Sequence, residues 1–218
     1  MPAVNLRYPI FCCALLLAAC SNETFSSEAV SAAADAEPAA ALPAVEPGLL
    51  IDPGFEIAGK DVPLRHWGLY QHAGDTSYRL EVSKGSARIE RTGSEPWGVL
   101  SQTLPADALA GKTLEWSVEL SGELDDRYGP PFEATGLLVS VTGFGPADLP
   151  MMGSRHLLTL ASEPGLPTGR LTAERHRLRF QIPEGRELQL RVGVQLTRGG
   201  VLELRAPSLT VVEPSEAP

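Results

Sequence analysis

Cysteine, histidine and paired carboxylates are the side chains from which catalytic and metal sites are built, and this chain spends them sparingly. Its three cysteines, Cys12, Cys13 and Cys20, all fall in the first twenty residues. The rest of the chain therefore has no disulfide, no thiol nucleophile and no cysteine metal site. The four histidines, His66, His72, His156 and His176, are scattered, and none has the helical i, i+4 spacing that turns two imidazoles toward one metal. There is no Gly-x-Ser-x-Gly elbow and no phosphate-cradling glycine loop. Glu115 and Glu119 share one strand face, but a glycosidase needs two carboxylates at a defined separation with one of them kept protonated. Nothing in the spacing singles out such a pair. The expectation is a protein that binds without catalysing.

Flat rings are the remaining chemical resource, since a ring face can stack on the C–H face of a sugar. Trp116 is in phase with Leu114 and Val118, and is expected in the core. Trp67 is expected there too. Trp97 differs, because Ser94-Glu95-Pro96-Trp97-Gly98 is a turn segment leading into a strand. Tyr128 and Phe132 belong to a second long connection, 121–135.

The elements that would carry these rings are strands. Leu114, Trp116, Val118 and Leu120 alternate with Glu115, Ser117 and Glu119. Along 188–196 every second residue is apolar, with Gln189, Arg191, Gly193 and Gln195 opposite. Strict alternation of this kind marks half-buried strands. Further strands are expected at 49–52, 78–83, 86–92, 98–104, 136–143, 155–160, 177–182, 202–204 and 209–213, the last two divided by Pro207. Only 105–111 reads as a helical turn. Some ten short strands predict an all-β, antiparallel β-sandwich over 49–213. If successive strands are antiparallel, the connections 93–97, 121–135, 161–172 and 198–200 share one end. Trp97, Tyr128, Phe132, Arg170 and Arg198 then gather on one rim. Such a rim either holds a ligand or plugs the open end of the sandwich.

The first twenty residues carry an address. Arg7 precedes an apolar run, Tyr8 to Ala19, too short to cross a bilayer and typical of a secretory signal peptide, here 1–19. Its exit, Leu17-Ala18-Ala19-Cys20, resembles the lipobox of bacterial lipoproteins. That resemblance implies acylation of Cys20, anchoring in the bacterial cell envelope and, with Ser21 following, sorting to the outer membrane. The stretch 20–48 is rich in Ala, Ser, Glu and Pro, carries five acids and no base, and is expected to be a disordered tether. Residues 214–218 are expected to be a disordered tail.

Charge narrows the partners. The chain of 218 residues has 18 Lys plus Arg against 27 Asp plus Glu, or −9, which argues against a nucleic-acid binder. Over 50–212 the balance is nearly even, so the acidity belongs to the ends.

A second resemblance covers about 50–212. Asp52-Pro53-Gly54-Phe55-Glu56 followed by Trp67 resembles the opening of galactose-binding-like jelly rolls, the fold of several carbohydrate-binding module families. Ser101-Gln102-Thr103-Leu104 with Ala110-Gly111-Lys112 resembles their middle. Gln181-Ile182-Pro183-Glu184-Gly185 and Gly200-Val201-Leu202-Glu203-Leu204 resemble their last strands. The resemblance implies a glycan or another envelope ligand. An acid pair in the last strand, which with the opening Glu helps many relatives hold calcium, is replaced here by Arg205-Ala206. The expectation is no cofactor and no metal. A docking protein without a small ligand and, less favoured, a hydrolase stay as alternatives.

Overall fold

The computed structural model describes residues 48–56, 64–83, 85–129, 133–148 and 153–213. The expected signal peptide, Cys20, the tether up to residue 47, Phe132 and the 214–218 tail lie outside the described residues. Ten strands follow in chain order: β1 (Gly68–Gln71), β2 (Tyr78–Ser83), β3 (Ser86–Arg91), β4 (Gly98–Pro105), β5 (Thr113–Asp125), β6 (Gly136–Phe144), β7 (Arg155–Ala161), β8 (Gly169–Gln181), β9 (Arg186–Leu196) and β10 (Gly199–Val211). The single 3-10 turn, Asp107–Leu109, is the only helical element among the described residues.

All pairings are antiparallel, in two five-stranded sheets ordered β1-β4-β9-β6-β7 and β2-β3-β10-β5-β8. The protein is an all-β sandwich. The alternation explains the layering. Leu114, Trp116, Val118 and Leu120 of β5 point inward, as do Leu188, Leu190, Val192, Val194 and Leu196 of β9, and all nine are buried. At about 25 cal/mol per Å² of apolar surface, this two-sided layer is the main stabilising contribution in the described domain.

The sheets are also joined by a polar contact. The Trp116 indole donates from Nε1 to the Gly193 carbonyl at 3.1 Å, reaching from β5 to β9. Phe55, Trp67 and Trp116 pack in series, with ring centroids 5.1 and 6.4 Å apart. Trp67 and Trp116 thus both sit in the core.

Two of the local differences from the sequence reading have a direct physical cause. Residues 49–52 are not a strand. Leu49 N donates to Leu209 O at 2.9 Å, but Ile51 is then held by a side chain instead of a ladder. Ile51 N donates to Gln102 Oε1 at 2.8 Å, and Gln102 Nε2 donates to Ile51 O at 2.6 Å. A buried primary amide offers the same donor and acceptor as a peptide group, so it replaces one rung.

The strand expected at 177–182 instead begins at Gly169, and the two expected around Pro207 form one strand with a bulge between Arg205 and Ser208. Proline cannot donate to a ladder and is confined to such irregularities. Ala206 takes φ 43° there. The Ala206 carbonyl accepts from Arg175 Nη1 at 2.9 Å, so the bulge loses no partner. Strand β1 was not expected at all. With β5, β8 and β10 at thirteen residues each, the strands are not uniformly short.

Candidate functional site

The outward row of β9, Gln189, Arg191, Gly193 and Gln195, forms the middle of the exposed face of its sheet. Register places Arg191 beside Thr103 of β4 and Ser140 of β6, and Gln195 beside Val99 and Gly136. A cleft of about 240 Å³ opens on this face, lined by Trp97, Val99, Glu133, Leu138, Ser140, His156, Thr159, Arg191 and Gln195. One indole, two aliphatic side chains and several hydrogen-bonding groups converge there.

Tyr70 stands beside it. It points outward from β1 opposite Val99 and is 51% exposed, one of the few large apolar side chains left in water. Its ring nevertheless has a fixed place. The Arg191 guanidinium lies 4.4 Å from the ring centroid. A Cβ on Gly68, two residues earlier on the same face, would come within 2.5 Å of the ring. The ring therefore lies flat over a glycine and on a cation, with its outer surface open. Arg191 is held in turn by Nε donation to Ser101 Oγ at 2.7 Å. Burial lowers the Arg191 pKa from its ordinary value, a shift that the nearby Tyr70 partly opposes.

The connections at one end of the sandwich position the remaining groups. Arg91 is buried and donates to Gly93 O at 3.2 Å, Ser94 O at 3.0 Å and Thr197 O, tying the 92–97 turn to the end of β9. Its guanidinium lies 4.2 Å from the Tyr128 ring centroid and 6.0 Å from that of Tyr78. Trp97 leaves this turn with its ring edge-on to His72, centroids 6.1 Å apart. His72 Nδ1 lies 2.8 Å from Glu95 Oε2. Thr197 Oγ1 donates to Glu133 O at 2.8 Å, and Gln195 Nε2 donates to the Glu133 carboxylate.

The rim residues named from sequence therefore have different situations. Antiparallel pairing carries the connections of Trp97, Tyr128 and Arg198, and the start of β8 with Arg170, to the same end. Trp97 lines the cleft on the sheet face. Tyr128 is engaged with Arg91, and Arg198 pairs with Asp126. Arg170 is exposed on β8 opposite Glu123. None of these three is among the residues that line the cleft with Trp97. Sequence reasoning passed over Tyr70, Gln195, Arg191, Glu133, Ser140 and His156 as site residues. The available signal was an Arg-x-Gly-x-Gln row facing out of an otherwise perfect core strand.

Among the described residues no three His, Cys, Asp or Glu side chains converge as a metal site. Glu56, from the opening motif, has its own N–H bound to Asp52 Oδ1 at 2.7 Å. Glu115 is occupied by Arg179 at 2.7 Å and Arg177 at 3.7 Å.

Tyr78 supplies a pH signature for the turn that carries Trp97. Its hydroxyl donates to Glu95 O at 3.0 Å. Burial is the main cause that pushes its pKa from 10.0 to about 12, while Arg91 opposes the shift. Between those values the unfolded chain has lost the phenolic proton and the folded one keeps it. Stability from this group is thus complete below pH 10 and declines as pH rises toward 12. The expected loss reaches roughly 2–3 kcal/mol. Urea melts at stepped alkaline pH check it, and Tyr78→Phe should flatten the decline.

No protein-family model matches the chain, and no curated protein matches it. Solved structures resemble it at low identity. The enzymatically active domain of tailspike protein 4 of bacteriophage CBA120 has a TM-score of 0.45 and 13% identity over 67% of this chain. The match spans only 19% of the tailspike chain. A family 61 carbohydrate-binding module in complex with β-1,4-galactotriose has a TM-score of 0.44 and 14% identity, covering 77% of this chain and 100% of the module. The CBM22-1 xylan-binding domain from Paenibacillus barcinonensis Xyn10C has a TM-score of 0.39 and 12% identity over 69% of this chain and 88% of that one.

Proposed function

We propose that this is a non-catalytic, lipid-anchored protein of the bacterial cell envelope, whose sandwich binds carbohydrate on the β1-β4-β9-β6-β7 face. The observation that carries the reading is the Tyr70 ring, fixed flat on Arg191 and Gly68 beside a cleft walled by Trp97. A sugar offers an apolar C–H face to a ring and hydroxyls to amides, carboxylates and hydroxyl groups. Tyr70 and Trp97 supply the rings, and Gln195, Glu133, Ser140 and Thr159 supply hydrogen-bond partners. A ring already held in place loses little conformational freedom on binding, which favours affinity.

Glycan-array binding by the soluble fragment 48–213, followed by titration of the best glycan, tests this. Tyr70→Ala and Trp97→Ala are each expected to weaken binding about tenfold or more, with small changes in thermal stability. Gly68→Ala should weaken it as well, because the new methyl displaces the Tyr70 ring without touching the core. Wild-type affinity in all three variants would end the reading.

The anchor is part of the same proposal and rests on Leu17-Ala18-Ala19-Cys20. Two or more acyl chains at Cys20 would hold the protein stably at a membrane. Palmitate labelling in cells should mark the wild type, and Cys20→Ala should remove both the label and the membrane fraction. Unchanged fractionation of Cys20→Ala would exclude the anchor.

A further inference from the structure

Arg191 is a partly buried cation with no counter-ion among the described residues. Its contacts are Ser101 Oγ and the Tyr70 ring, and Nη2 is enclosed with no hydrogen-bond partner among the described residues. Arg79, Arg88, Arg127, Arg155, Arg179, Arg198 and Arg205 each pair with a carboxylate, although all but two of them are well exposed. A charge withdrawn from water is costly unless it is paired. Here a half-buried cation on the cleft wall is without an acid.

The charges of the cleft are also separated. Glu133 is the only acid among its lining residues, and its carboxylate is bound by Gln195. Gln195 lies four residues along β9 from Arg191, about 13 Å at strand rise. Near Arg191 the groups are of another kind. Ser140 is its register partner on β6, Ser140 Oγ lies 3.3 Å from His156 Nδ1, and Thr159 is opposite Ser140 on β7. These can all donate hydrogen bonds, and none is negative.

We propose that the cleft takes an anionic glycan, with a sugar carboxylate or sulfate ester facing Arg191, Ser140 and His156, and neutral sugar toward Trp97 and Gln195. This rests on the carbohydrate reading above and specifies its ligand class. The anion supplies the charge that Arg191 lacks, meeting the guanidinium at Nη1, since Ser101 takes Nε and Nη2 is enclosed. The separation of Glu133 from Arg191 gives the ligand a direction.

Binding of trigalacturonate, its methyl ester, galactotriose and a sulfated galactan oligosaccharide to the full-length protein decides it, measured by calorimetry at low and high salt. At least one anionic probe is expected to bind about tenfold or more tightly than its neutral counterpart, with the advantage shrinking in salt. Preference for trigalacturonate over its ester identifies a carboxylate, and preference for the sulfated probe identifies a sulfate. Arg191→Gln should erase the difference between charged and neutral probes. Arg191→Lys, which keeps the charge and loses the fork, should retain part of it. Equal binding of charged and neutral sugars overturns the anionic inference and leaves the carbohydrate reading standing. No binding of any probe overturns both.

Discussion

Trp116→Ala is expected to lower the free energy of unfolding by about 3–5 kcal/mol. The indole is 0% exposed, packs on Trp67 and donates across the sandwich to Gly193 O. Truncation leaves a cavity between the sheets and a carbonyl without its donor. Trp97→Ala should cost about 1 kcal/mol or less, because that ring is only half-buried on an outer face. Denaturant midpoints of the two variants separate the roles. If they fall equally, Trp97 is a structural plug and the cleft loses its stacking wall.

Arg91→Met should cost on the order of 3 kcal/mol, more than surface arginines do. The guanidinium is 6% exposed and serves the carbonyls of Gly93, Ser94 and Thr197 at once. Methionine can fill the space between Tyr78 and Tyr128 but can donate to none of the three. Arg91→Lys should recover little, since an ammonium is a compact point charge that cannot span the same fork. Faster amide exchange across 92–97 should accompany the loss, because this arginine fastens the turn from which Trp97 projects. A midpoint within error of wild type would show that water replaces the guanidinium without cost.

The fold was legible where one face of a strand is buried and the other wet. In β5 and β9 alternation assigns every residue from 114 to 120 and from 188 to 196 to the correct face. It fails at the edges. Gly68–Gln71 is too short for a period to show, and the first half of β8 is polar on both faces because it is an edge. At 49–52 the apolar pattern was real, but Gln102 supplied the hydrogen bonds that a strand would have supplied. The site was legible only in its parts. Trp97 could be recognised as a ring outside the core, and Arg191 and Gln195 as outward residues of β9. That they share a cleft depends on register between β4, β9 and β6, which a single sequence does not state. Tyr70 could not be found while its strand was unrecognised.

The long outer strand of the second sheet has a consequence for crowding. β8 is thirteen residues long and terminates its sheet, so its free backbone groups are a template onto which another chain could add. Arg170, Arg175, Arg177 and Arg179 are spaced along it, three of them on successive outward positions. Long charged side chains along an edge strand oppose strand addition between copies, because they must be ordered and desolvated before any backbone bond forms. The row therefore works against recruitment of another strand where copies are crowded together.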